Sequence, residues 1–504
     1  MHYDVIIIGA GMSGLAAGIR LAYFDKRVCI VEKHYAFGGL NSYYRLNGRD
    51  FDVGLHAVTN FAPPQQRNAP LNRLLRQLRL SREDFDLQPQ HYSQVRFPGK
   101  SLRFTNDIAV LVDEVSREFP RDADHFRQLL ADVERYDDAR LDAPYRPTRP
   151  LLREYLREPM LMEMLLCPIM FYGSAEEHDL DFTQFVTLFK GLFCEGFARP
   201  PGGVRTIIKS LVKKYRSCGG KLRMNCGVRQ IETHDGCVVG ITLESGESLT
   251  ANIVLSSAGY VETMRLCAPS PQPSPFKGEG GSPSPRPSST EGEGGSPSPQ
   301  PSDPPSPVGS SNPWEGEGEV GRISFVESVN ILDATPSSLG HDATIIFFND
   351  SETFDYAVPR DLVDLSSGIL CCPNNYEGHV GLREGVVRLT WLASYDRWAN
   401  LDEAAYTAAK EALHKKVVER VREYIPTFTD HLVFTDLFTP RTVRQYTGHL
   451  NGAVYGSPRK RRDGRTPYEN LFICGTDQGY LGIIGAMLSG ITMANVHVLE
   501  ESNK

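Results

Sequence analysis

A chain of 504 residues is too long for one small module, and roughly two to four packed domains are expected. Its hydrophobic fraction of 40% and charged fraction of 23% exclude a fully disordered chain and a polytopic membrane protein. The 54 Lys plus Arg against 62 Asp plus Glu give a formal charge of -8, the wrong sign for broad phosphate contact, so no nucleic-acid partner is expected.

Residues 4–8 read as a Val/Ile strand, about 13–24 as a helix and 28–32 as a second strand, which together make one βαβ start. The apolar run begins so early that no cleavable leader is expected. Ten scattered cysteines without C-x-x-C or zinc-ligand spacing suit a reducing, cytoplasmic compartment and give no metal site. Residues 70–191 are mostly helical in pattern. Strand-like alternation returns at 222–231, 238–243, 253–256, 323–332 and 386–392, and an amphipathic helix spans about 402–424 before Pro426.

Between 161 and 197 lie Met162, Met164, Met170, Phe171, Tyr172, Phe182, Phe185, Phe189 and Phe193 with few charges, read either as helical core or as the wall of an apolar tunnel. Residues 269–313 hold 14 Pro, 12 Ser and 7 Gly in 45 positions, with the octet GEGGSPSP at 278–285 and 292–299. Such composition buries nothing and is read as a disordered insertion. The apolar stretch 481–499 is about as long as a membrane span, but its glycines, Asn495 and His497 suit a helix packed on a cofactor better than lipid.

The strongest motif is Gly9-Ala10-Gly11-Met12-Ser13-Gly14, directly after the first strand and at the mouth of the first helix. Gly9 allows the tight turn, Gly11 lets a pyrophosphate approach the backbone, and Gly14 lets helix and strand close up. Ser13 sits in the same turn, and Glu32 ends the second strand where a carboxylate for ribose hydroxyls is needed. A second match at 316–321 follows no strand and carries glutamates where phosphate would lie, so it is rejected.

After Glu32 come Lys33, then Gly38-Gly39-Leu40, then Phe51-Asp52-Val53-Gly54-Leu55-His56. With Pro201-Gly202-Gly203-Val204, the 219–228 segment, Pro440-Arg441-Thr442, the 452–456 segment and Cys474-Gly475-Thr476-Asp477 followed by Gly485, the chain resembles the phytoene desaturase, carotenoid isomerase and retinol saturase group. That group belongs to the wider class of flavin amine oxidases. The resemblance implies an α/β fold, a Rossmann-type FAD-binding domain interleaved with an α+β substrate domain that carries a helical apolar region. The expected pieces are 1–65, 196–268 and 436–504 for FAD, 66–195 and 320–435 for substrate, and 269–319 as the insert.

It also implies FAD as cofactor, held by Gly9, Gly11, Ser13, Gly14, Glu32, Lys33, Gly38, Gly39, Leu40, Val228, Gly475, Asp477 and Gly485. His56 is a candidate for proton transfer or positioning near the flavin, Asp477 a candidate ribityl partner, and Tyr455 a residue beside the ring; His56 and Asp477 also read as hydrogen-bonded structural residues. The implied substrate is a long apolar polyene undergoing desaturation, cis-trans isomerisation or saturation by hydride exchange at flavin N5. Its extraction from a bilayer implies peripheral membrane contact, expected at an apolar face near 151–171 with Arg153 and Arg157; the basic run 459–462 with Arg465 reads as a solvated loop or as an added attraction to anionic lipid. Two alternatives stay open: an amine oxidase of the same fold, for which Cys474 is poorly placed as a flavin attachment point, and a flavin-free binding protein like the GDP-dissociation inhibitors.

Overall fold

The computed structural model describes residues 1–54, 56–268, 319–378 and 383–500. The Pro/Ser-rich insert, the first three positions of the rejected glycine match and Leu55 lie outside the described residues.

β1 (His2–Ile8), α1 (Met12–Ala22) and β2 (Val28–Val31) form the expected βαβ start. Val5 to Ile7 are wholly buried, a continuous apolar run suited to a central parallel strand covered on both faces. β1 pairs in parallel with β2 on one side and with Ser248–Ser256 on the other. The full sheet runs Val228–His234, Cys237–Leu243, Ser248–Ser256, β1, β2, Lys221–Arg223, with Leu471–Ile473 beside Ser248–Ser256. α1 is buried at nearly every position and packs against the C-terminal helix Gly482–Ala494 and the helix Val204–Ser217.

A second sheet of seven strands runs Leu432–Phe438, Ser324–Leu332, Gly385–Ala393, Val363–Cys371, Ile345–Asn349, Ser93–Phe97, Lys100–Phe104. One core on it joins helices such as Pro159–Gly173 and Phe182–Phe189 to Phe104, Phe347 and Ile369. Another places Leu413, Val417 and Val421 of the helix Glu403–Arg422 against Trp391 and Leu389. Helices therefore cover this sheet too, and the architecture is the mixed α/β type expected.

Two differences from the sequence reading, and one choice that it left open, have physical causes. The hairpin Ser93–Phe97/Lys100–Phe104 lies in a stretch read as helical; Val95, Phe97, Leu102 and Phe104 alternate inward about Pro98-Gly99, so the period of two prevailed there. The Met/Phe stretch is chiefly core: Leu161, Met164, Leu165, Met170, Phe185 and Phe189 are fully buried, while Phe171 and Tyr172 line a cavity. Leu152 and the helix Pro159–Gly173 are turned inward for the same reason, so this segment does not present the membrane-facing apolar surface expected of it.

Among the described residues one helical stretch, Gly482–Leu499, is long and apolar enough to cross a membrane, and 56% of it is buried inside the protein. Gly490 lies directly on the Ser13 carbonyl, where no side chain fits. The C-terminal helix is thus pressed on the start of α1.

Candidate functional site

The turn between β1 and α1 is a cradle built from backbone. Gly9 holds φ +99°, a left-handed conformation that disfavours side chains, and its N–H donates to the Val31 carbonyl at 2.8 Å. A Cβ on Gly14 would strike the Gly9 carbonyl, whereas a Cβ on Gly11 would meet nothing within 4 Å. Gly9 and Gly14 therefore close the turn, and Gly11 opens it. Gly11 caps α1 without any side-chain hydrogen bond, and the first turn holds no acidic residue. The free N–H groups and positive end of the helix favour an anion there.

Glu32 stands beside the cradle. Its carboxylate accepts from the Ala10 N–H at 2.7 Å and the His34 N–H at 2.9 Å, which fixes it at the turn. Lys33 points outward, with Nζ 3.4 Å from Glu244. Gly38 donates its N–H to the Ala10 carbonyl at 2.9 Å, so Gly38, Gly39 and Leu40 line up against the cradle. Gly475 sits across from Ser13, and its N–H donates to Ser489 Oγ at 2.8 Å. Val228 opens an outer strand of the first sheet, and Gly485 packs against the Tyr480 backbone.

Asp477 is buried, with Oδ1 accepting from the Ser457 N–H at 2.7 Å and Oδ2 from the Tyr260 N–H at 2.6 Å. Its carboxylate pins two loops, and Gly456 is small because a Cβ there would strike Oδ1. Asp52 plays a similar part in joining two sequence motifs. It pairs with buried Arg199 and accepts from the Val204 N–H at 3.0 Å, and Gly203, at φ +72°, leaves it room.

A cavity of about 180 Å³ lies beside the start of the C-terminal helix. Leu40, His56 and Tyr455 line it, so three of the sequence candidates converge there, together with Phe171, Phe325 and Ile369. Tyr455 donates its hydroxyl to the Phe171 carbonyl. His56 Nε2 is 2.9 Å from Thr390 Oγ1 and 3.7 Å from Glu327 Oε2. Glu327 is bound to Arg388, and both are buried. Burial, then the Arg388 and Arg199 charges, hold the His56 imidazole well below its ordinary range. Burial likewise pushes the Glu327 carboxyl up, with Arg388 opposing.

Glu327, Arg388 and Thr390 are absent from the sequence reading. Glu327 sits directly opposite Thr390 in the antiparallel pair Ser324–Leu332/Gly385–Ala393, and Arg388 is two residues from Thr390 on the same face. Each lies in an apolar strand, and the polar interruption of such a strand is the one signal that marks it. The basic run is partly engaged within the protein: Arg462 pairs with Asp181, Lys460 donates to the Tyr455 carbonyl at 2.5 Å, and Arg461 lies over the Tyr260 ring. These residues line a separate surface cleft of about 930 Å³.

The family described as flavin containing amine oxidoreductase matches residues 12–272. The chain belongs to this family. Among curated relatives it is 20% identical to a chloroplastic prolycopene isomerase of Arabidopsis thaliana, over 98% of this chain and 82% of that protein. It is 29% identical to a neurosporene-forming phytoene desaturase of Cereibacter sphaeroides, over 53% of this chain and 55% of that one. An oxidoreductase of Methanosarcina mazei shares the fold, with a TM-score of 0.64 at 15% identity over 98% of this chain and 99% of the other.

As a member of the flavin containing amine oxidoreductases the protein is an oxidoreductase with FAD as its cofactor. The residues present fit that group. Gly11 leaves open space at an uncapped, acid-free helix start, the chemistry a pyrophosphate requires, and Glu32 offers acceptors beside it. Cys474 is buried against Ser13 with its thiol pushed up to about 12 by burial, which gives it the character of a packing residue.

Proposed function

We propose that the protein is an FAD-dependent oxidoreductase acting on a long isoprenoid or polyene chain, in the manner of a carotenoid desaturase or isomerase or a retinoid-type saturase. The supporting observation is the cavity: Phe171, Phe325, Ile369, Val454 and Leu481 make an apolar wall at the start of the C-terminal helix. Apolar burial at ~25 cal/mol per Å² is the means by which such a substrate is held. The relatives named for prolycopene and phytoene support the substrate class.

In this reading the first sheet, with its pieces before 65, within 196–268 and after 436, holds FAD, and the second sheet with its helices holds substrate. Gly9, Gly11, Ser13 and Gly14 hold the pyrophosphate and Glu32 the adjacent ribose. Lys33 and Val228 lie on the adenine side, and Gly38, Gly39, Leu40, Gly475, Asp477 and Gly485 on the ribityl and ring side. FAD supplies hydride exchange with a substrate carbon. The protein orients the chain, excludes water, and holds the neutral His56 imidazole at the wall, its Nε2 bound to Thr390 Oγ1, as a group for positioning or for proton transfer through that hydroxyl.

Expression in hosts that accumulate phytoene, poly-cis-lycopene or all-trans carotenoid, followed by chromatography of the pigments, tests the reading. A changed pigment in one host supports it. Unchanged pigment in all three, with flavin reduced by an amine, turns the assignment to amine oxidation. Because a polyene is delivered from a bilayer, peripheral membrane contact belongs to the proposal, and flotation of the holoprotein with liposomes checks it.

A further inference from the structure

The cavity has a polar wall that a pure hydrocarbon does not need. His56, Glu327 and Thr390 stand on it, and behind them lie two ion pairs, Glu327 with Arg388 and Asp52 with Arg199, all four side chains less than a tenth exposed. Ionic groups are expensive to bury, and their concentration behind one wall calls for a use. The wall is also rigid. The His56 carbonyl accepts from Tyr376 Oη at 3.1 Å and from Arg199 at 3.3 Å, so the backbone that carries the imidazole is clamped from two sides.

Tyr172 supplies a second, independent observation. It lines the same cavity, and its hydroxyl is buried without a hydrogen-bond partner among the described residues. Its ring stacks on Phe197, 5.3 Å between centroids and two residues before Arg199, which places it beside the same wall. A buried hydroxyl left unpaired is costly unless a ligand satisfies it.

Charge narrows the ligand. The two ion pairs cancel, and burial beside two guanidinium groups keeps the imidazole neutral. An ammonium or a carboxylate seated here would be desolvated without a counter-charge. With His56 Nε2 bound to Thr390 Oγ1, the Thr390 and Tyr172 hydroxyls still offer a donor and acceptors to an uncharged oxygen, and His56 orients the Thr390 hydroxyl.

We propose that the substrate is an apolar chain ending in a neutral oxygen group, a hydroxyl or a carbonyl, which is seated against His56, Thr390 and Tyr172. This rests on the reading of the cavity as the site of an isoprenoid-directed flavoprotein. Glu327 and Arg388 are positioning residues, since Glu327 faces His56 and Arg388 holds Glu327 in place.

The test titrates the holoprotein in mixed micelles and follows the visible flavin spectrum. Three probes share one skeleton: geranylgeraniol, the hydrocarbon lacking its hydroxyl, and geranylgeranylamine. The alcohol is expected to bind at least ~10-fold tighter than the hydrocarbon. That preference should fall below ~3-fold in Thr390→Val, Tyr172→Phe and His56→Phe, and His56→Gln should restore part of it. Flavin content reports whether each variant folds, and Thr390→Val, the mildest change, carries the test if His56→Phe does not. Equal affinity for alcohol and hydrocarbon overturns the proposal while leaving the isoprenoid reading standing. Tightest binding of the amine overturns it in favour of an amine site. No response to any probe overturns both.

Discussion

Glu195 gives the most quantitative test of how burial acts near the site. It follows a π-helical turn, Lys190–Cys194, and accepts from Asn60 Nδ2 at 2.9 Å; Asn60 in turn accepts from Thr59 Oγ1 at 2.8 Å, next to Gly482. Burial, reinforced by Asp138, pushes its carboxyl from the ordinary 4.5 up to about 7. Below pH 4.5 the folded and unfolded chains are both protonated and Glu195 contributes nothing to the difference between them. As pH rises the unfolded chain ionises first, so the folded state loses stability until the folded group also ionises near 7. The cost levels off at about 3 kcal/mol, a sizeable part of the ~5–15 kcal/mol of a typical domain. Glu195→Gln keeps the acceptor for Asn60 and removes the titration. Urea denaturation should show the variant more stable by about 1 kcal/mol at pH 5 and about 3 kcal/mol at pH 8. A gain that does not grow with pH, or a loss at pH 8, would refute the burial argument.

Other substitutions probe other parts of the account. Arg388→Met leaves Glu327 buried without its partner and should cost about 3–5 kcal/mol by the same denaturation assay, whereas the double variant Glu327→Leu/Arg388→Met should recover most of it. Deletion of residues 269–313 should leave the flavin-to-protein absorbance ratio unchanged, because that composition buries no core. Gly14→Ala should give insoluble or flavin-free protein, since the new Cβ meets the Gly9 carbonyl and neither backbone segment can yield.

The cofactor half of the molecule was readable because its signal is local. Gly9, Gly11, Gly14 and Glu32 lie within 24 consecutive residues, and the structure brings Glu32 onto the Ala10 N–H as that spacing implies. His56 and Tyr455 were reachable through the motifs that surround them. The polar wall was not. Glu327 and Arg388 are 61 positions apart in sequence and meet through strand register, which periodicity cannot supply. The apolar stretch from Leu161 to Phe193 stayed open between two readings, because Met and Phe at helical spacing look the same in a core as in a tunnel, and here they chiefly fill a core. A basic run such as Arg459 to Arg462 reads alike as a solvated loop or a lipid-facing patch, and neither reading shows that Arg462 and Lys460 are drawn inward by Asp181 and the Tyr455 carbonyl.

FAD lying at the start of α1 is the premise of the whole site, and Gly11→Val addresses it most directly. Gly11 has φ -72° and ψ -179°, extended backbone open to any residue, and a Cβ there meets no protein atom within 4 Å. The variant should therefore fold with wild-type thermal stability in the flavin-free state but purify colourless and fail to take up added FAD. A Gly11→Val protein that retains its full yellow absorbance would contradict the placement of the pyrophosphate and, with it, the site.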